Sequence, residues 1–348
     1  MSDISKIDKN FAVKTNIEKD GIIFYNIDEQ PFKIHGVFKS NGRYRRMPEN
    51  VAKGVSEGVY RLHTNTAGGR VRFITDSPCV AIIAKLDGLE KMPHMAMTGA
   101  RGFDVYADND YVKTFIPPFD MKDGYESIID FETNKLKEIT INFPLYSNVK
   151  EVYIGLQKNS VLKEATPYKN AKPIVFYGSS ITQGGCASRS GMSYQAIVSR
   201  RFNCDFVNLG FSGNARAEDE IAEYIKNLDM SLFVYDYDYN APTVEHLERT
   251  HEKMFKAIRN KNPELPIIIM SRPRFNLTDE EEQRLAIIET TYTNAISSGD
   301  ENVYFINGKT LTSLCGNEGT VDGCHPTDFG FASMAKALGD VIEKNNCI

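Results

Sequence analysis

The stretch Pro173 to Gly184, PIVFYGSSITQG, decides how the rest of the chain is read. Its first residues, Pro173 to Tyr177, form an apolar run of strand length, led by a proline and stopped by Gly178, which predicts a buried parallel strand. Ser179 and Ser180 follow on the turn. The carboxyl edge of an open α/β sheet is where such folds place their chemistry, so both serines are candidates for a reactive hydroxyl. The competing reading is a polar loop whose serines only cap backbone hydrogen bonds.

Downstream, the pattern alternates. Helices are predicted at about 193–202, 217–228, 243–260, 279–297 and 326–344, interleaved with strands at 205–209, 231–236, 266–271 and 303–307. Strands separated by helices of this length mean βαβ units and a parallel sheet covered on both faces, hence an α/β domain with three α/β/α layers. Upstream, helical periodicity is nearly absent. Segments 60–75, 79–86, 102–108, 137–146 and 151–157 are rich in Val, Ile, Tyr and Phe and punctuated by Gly, Pro, Asn and Asp. They predict an antiparallel β-sandwich or jelly roll. The expected division is therefore an all-β domain over 1–165, a linker over 166–172 with charged and turn-forming residues, and an α/β domain over 173–348.

Composition sets the outer limits. A chain of 348 residues with 41% hydrophobic and 25% charged residues is an ordinary folded protein, large enough for two cores. A net charge of −5 and scattered Lys and Arg give no basic footprint for nucleic acid. No apolar run approaches the roughly 20 residues that span a bilayer, and MSDISKIDKNF lacks a signal-peptide pattern, so a cytoplasmic location is expected, or secretion if the given N-terminus is processed. The six cysteines include no C-x-x-C pair, which favours free thiols over a disulfide framework.

Four motifs fall at predicted strand ends or at the start of the last helix. The first is Gly178 to Gly184. The second, Asn208-Leu209-Gly210-Phe211-Ser212-Gly213, is a glycine-permitted turn able to aim backbone N–H groups outward. The third is Asp236-Tyr237-Asp238-Tyr239-Asn240. The fourth is Asp322-Gly323-Cys324-His325-Pro326, with Pro326 read as the first residue of a helix. Asp322 and His325 lie three apart on one turn, so the carboxylate can hold one imidazole nitrogen while the other faces a serine.

In this order the motifs resemble the blocks of the SGNH, or GDSL-type, serine hydrolases. The resemblance assigns the nucleophile to Ser180, the base to His325 and its partner to Asp322. It assigns the oxyanion donors to the N–H of Ser180, the N–H of Gly210 and the side chain of Asn240. Gly102-Phe103-Asp104-Val105-Tyr106 resembles the G-x-D-L-Y signature of a β domain fused ahead of one SGNH branch. The sequence departs from the pattern where Ser179 replaces the aspartate before the nucleophile, and where Asp238 and Ala241 replace the glycine and aspartate of the third block.

The resemblance implies hydrolysis of a small-molecule acyl ester through an acyl-enzyme, with no cofactor and no metal. The two-domain layout is similar to that of carbohydrate acetylesterases, so a short O-acyl ester of a sugar, an O-acetyl ester foremost, is the expected substrate. A short-chain acyl esterase, thioesterase or acyltransferase, or a non-catalytic glycan-binding protein, are the alternatives. Ser179, Tyr177, Cys186, Tyr237 and Arg272 are candidate pocket residues, the tyrosines reading equally as stacking surfaces for a sugar or as packing, and Arg272 as a solvated loop arginine or as a contact to a polar substrate. His35, His63 and His94 share no short spacing and read as ordinary surface or core histidines. Asp104 reads as a strand-end or turn residue, or, within G-F-D-V-Y, as an anchor of the interface between the domains.

Overall fold

The computed structural model describes residues 16–88 and 92–348. Among these, the N-terminal half forms two facing antiparallel sheets. One runs in the spatial order Ile22–Asn26, Asn148–Gln157, Cys79–Asp87, Gly124–Asp130. The other orders Leu162–Lys163, Arg70–Thr75, Lys137–Asn142, Phe103–Ala107 and Asp110–Phe115, with Lys33–His35 also pairing Arg70–Thr75. Alternate side chains from both sheets, among them Val71, Phe73, Phe103, Val105, Ile139, Ile141, Ile82 and Ile154, make one buried core. This is the expected sandwich.

The C-terminal half is a parallel sheet in the order Cys204–Gly210, Asn170–Gly178, Leu232–Asp236, Ile267–Met270, Val303–Ile306. Its faces are explained by strand alternation: Val175 and Tyr177 pack into one helical layer, Ile174 and Phe176 into the other. No helix among the described residues is long and apolar enough to cross a membrane.

Three local expectations need correction. Residues 60–69 are not strand: Ser56 Oγ accepts from Val59 N and caps a short helix, Glu57–Leu62, whose Val59 and Leu62 are buried, and the strand starts only at Arg70. Pro326 does not begin the last helix. It forms a β-bridge with Thr320, and the helix is Asp328–Lys344 with Thr327 at its N-cap. Strands Ile22–Asn26, Asp110–Phe115 and Gly124–Asp130 go beyond the predicted set; the last two, DYVKTF and GYESIID, mix polar with apolar residues and carry a weaker strand signal, whereas IIFYN is an apolar strand-length run that the reading passes over.

Buried polar contacts join the halves. Arg46 donates to Asn208 O at 3.1 Å, Gly210 O at 2.5 Å and Leu62 O at 2.7 Å. Asp104 is fully buried, and its carboxylate accepts from Arg189 Nη1 at 2.9 Å, Gly191 N at 2.8 Å and Asn142 Nδ2 at 2.9 Å. Asp104 thus ties a β-sandwich strand to the loop before the helix Tyr194–Phe202, as expected for an interface anchor.

Candidate active site

The strand Asn170–Gly178 ends at the carboxyl edge of the sheet and turns directly into a four-residue helix, Ser180–Gln183. Ser179 stands at its N-cap, where its Oγ accepts from Ile181 N at 3.1 Å. The hydroxyl of Ser179 is therefore used within the turn and does not line a pocket, which corrects its candidacy. Below the turn, the Asp236 carboxylate accepts from Thr182 Oγ1 at 2.8 Å and from the Ser179 backbone. The turn that lacks the family's aspartate is thus braced by an aspartate from the neighbouring strand. Burial pushes the Asp236 carboxyl up to about 7, against the lowering effect of those two hydrogen bonds.

Ser180 Oγ lies 2.9 Å from His325 Nε2, and His325 Nδ1 lies 2.7 Å from Asp322 Oδ2. The second Asp322 oxygen accepts from the backbone N–H of His325 at 2.7 Å and of Cys324 at 3.0 Å. Partial burial alone would raise the Asp322 pKa, but these hydrogen bonds from His325 and Cys324 outweigh it and hold the group at about 2. An ionised Asp322 that accepts a hydrogen bond from Nδ1–H keeps the proton on that nitrogen and leaves Nε2 as a bare acceptor for the serine hydroxyl.

The second motif behaves differently from expectation. The Gly210 N–H is donated to Asn208 Oδ1 at 2.9 Å, so it is not an oxyanion donor. A glycine is required there for another reason: a Cβ would lie 2.1 Å from Gln183 N, so only glycine lets the nucleophile helix pack this closely. Phe211 N donates to Gly178 O at 2.9 Å and Ser212 N to Gln183 Oε1 at 3.0 Å. The next residue, Gly213, has φ +70° and open space around it, and its N–H has no hydrogen-bond partner among the described residues. Asn240 Oδ1 accepts from Ala215 N at 3.3 Å, which fixes the amide and leaves Nδ2 as a donor. The loop carrying Asn240 is held by Asp238, which accepts from Arg272 at 2.6 and 2.9 Å.

Arg272 is thereby turned inward to Asp238 and to Glu281, at 2.8 Å, and is not a pocket residue. Tyr177 and Tyr237 are also not available to a sugar. Both are buried, Tyr177 accepting from Ala217 N at 2.8 Å and Tyr237 meeting Thr250 Oγ1 at 2.8 Å. Tyr177, on an apolar strand covered on both faces, and Tyr237, just past the end of the neighbouring strand, both belong to the core.

Cys186 does lie beside the histidine. All six cysteines are free thiols. Burial pushes the Cys186 thiol up to about 12, aided by the charge of Asp322 and by Cys324, so it is no competing nucleophile. Sequence reasoning missed two neighbours. His94, from the sandwich half, places its ring 5.5 Å from that of His325, and Tyr146 donates its OH to Ser180 O at 3.2 Å. Neither carries a local motif that points to residues so distant along the chain.

A hydroxyl, an imidazole and a carboxylate in line at a sheet edge define an α/β serine hydrolase site. Residues 171–343 match the model of the GDSL-like Lipase/Acylhydrolase family, and residues 22–162 match that of the N-terminus of Esterase_SGNH_hydro-type. The chain belongs to the SGNH/GDSL-type serine hydrolases, which act on carboxylic esters. Among solved structures, a candidate GDSL-like lipase from Bacteroides ovatus ATCC 8483 is 29% identical, with a TM-score of 0.83 over 93% of this chain and 98% of that one. The salicylyl-acyltransferase SsfX3 from a tetracycline biosynthetic pathway is 19% identical, with a TM-score of 0.77 over 92% and 96%. A family two carbohydrate esterase from Clostridium thermocellum, in complex with cellohexaose, is 14% identical, with a TM-score of 0.59 over 91% and 100%. The last two are similar in fold. No curated protein sequence matches the chain.

Proposed function

We propose that this chain hydrolyses short O-acyl esters, O-acetyl groups on a carbohydrate foremost, with Ser180 as nucleophile. The observation that carries this reading is the line Ser180 Oγ, His325 Nε2, His325 Nδ1, Asp322 Oδ2, with spacings of 2.9 and 2.7 Å. His325 takes the hydroxyl proton as Oγ attacks the carbonyl, and Asp322 fixes the tautomer and stabilises the imidazolium. The N–H groups of Ser180 and Gly213 and the Asn240 amide meet the developing oxyanion. His325 then returns its proton to the departing alcohol, and water repeats the cycle on the acyl-enzyme.

One feature supports a short acyl group. The cavity bordering the nucleophile turn, lined by Leu62, Asn65, Met92, Tyr146, Asn148 and Ser212, holds about 130 Å³. Pockets for drug-sized ligands run roughly 300–1,000 Å³. It is lined from both halves of the chain, and one of its lining residues, Tyr146, donates its OH to Ser180 O at 3.2 Å. The carbohydrate alcohol is supported by the likeness of layout to carbohydrate esterases. The test is a rate comparison across acetylated sugars and acyl esters of increasing chain length. Fastest turnover on acetylated sugars is expected; preference for long chains, or transfer to an added alcohol in place of water, would replace this reading.

A further inference from the structure

The space in front of His325 holds more ligating chemistry than ester hydrolysis uses. The ligand atoms of His94, Cys186 and His325 all lie within 4.8 Å of one another. Two imidazoles and one thiol are the donor set of soft-to-borderline divalent cations, zinc above all. With Zn–S near 2.3 Å and Zn–N near 2.0–2.1 Å, the donors of a tetrahedral site stand about 3.3–3.6 Å apart, so a closure of about 1 Å completes it. His94 is exposed and can supply that movement, whereas Cys186 is buried and His325 is held by Asp322.

His325 is also oriented as a ligand would be. Its Nδ1 is bound to Asp322 Oδ2 at 2.7 Å, so the nitrogen that faces the other donors is Nε2. A histidine whose far nitrogen donates to a carboxylate is the arrangement that orients zinc-binding imidazoles and raises their basicity. That same Nε2 lone pair receives the serine proton, at 2.9 Å. One lone pair cannot serve both.

We propose that His94, Cys186 and His325 form a binding site for a thiophilic divalent cation of the zinc type, and that its occupation takes Nε2 away from Ser180 and switches the esterase off. On binding, the Cys186 thiol gives its proton to solvent and the sulfur becomes a thiolate ligand; water or Ser180 Oγ completes the four positions. The inhibitory part rests on Ser180 and His325 being catalytic, whereas the site itself does not.

The test uses two readouts on the full chain. Cobalt(II) serves for the first, because thiolate ligation gives a charge-transfer absorption that does not depend on turnover. That band is expected in wild type and in Ser180→Ala, and is expected to be absent in Cys186→Ala. Its absence from folded wild type, or its persistence in Cys186→Ala, overturns the site. The second readout is zinc titration of p-nitrophenyl acetate hydrolysis, each protein being compared with its own metal-free rate. Reversible inhibition relieved by a chelator is expected, weakened at least ~10-fold in His94→Ala, since even partners behind a ligand are worth 10–100-fold in affinity. Equal sensitivity of wild type and His94→Ala overturns the proposal. A wild type that binds cobalt yet hydrolyses no ester would instead count against the esterase reading.

Discussion

Replacing Asp236 by Asn should remove a pH dependence of stability that the wild-type protein carries under its nucleophile turn. Asp236 is fully buried with a pKa of about 7, against an ordinary value of 3.8. Between those values the native state keeps a proton that the unfolded chain releases, so the unfolded state binds fewer protons and stability falls as pH rises. A shift of about 3 units at 1.36 kcal/mol each makes the full change about 4 kcal/mol from pH 4 to pH 8. Wild type alone would not show it cleanly. His251 is buried with its pKa lowered to about 3, so it adds stability as pH rises toward 6.5, the opposite sign in the same window. Asp322 and Asp205, both held near 2, act below pH 4. The difference between wild type and Asp236→Asn isolates the carboxyl, because Asn keeps an oxygen for Thr182 and places an amide where Asp236 Oδ2 has no partner. Urea unfolding at half-unit steps from pH 4 to 8 gives that difference. The variant should gain on wild type progressively, by about 4 kcal/mol across the range. Parallel curves would refute a buried, protonated Asp236.

Other changes probe the site and its support. Asn240→Ala should lower kcat on the order of 10²-fold with KM little changed, as for loss of one oxyanion donor, measured by steady-state hydrolysis of p-nitrophenyl acetate. Asp104→Ala leaves the Arg189 guanidinium and the Gly191 N–H without their carboxylate, and should cost about 3–5 kcal/mol in urea unfolding, as expected for breaking a buried pair.

The fold was legible wherever one periodicity ran unbroken. The helices Val244–Lys261 and Asp279–Ser297 and the strand Leu232–Asp236 lie within a residue or so of where their patterns place them. The Asp322-to-His325 motif was legible because both partners sit on a single turn, so spacing alone sets their geometry. The misses share a cause. The sequence reads Gly210 and Gly213 alike as turn glycines, but Gly210 ends its strand and gives its N–H to the Asn208 side chain, while Gly213 lies in the turn beyond. Tyr177 and Tyr237 lie close in sequence to the site's motifs, but strand alternation sends Tyr177 into the core and Tyr237, just past its strand's end, packs into the same core. Arg46 and His94 act through contacts between the two halves, and no local pattern encodes a tertiary neighbour.

The central claim is that Ser180 is the nucleophile, and labelling by a fluorophosphonate tests it most directly. Wild type should be labelled on Ser180 and should hydrolyse p-nitrophenyl acetate, while folded Ser180→Ala should do neither. Label on another residue, or turnover that survives in Ser180→Ala, would contradict the account.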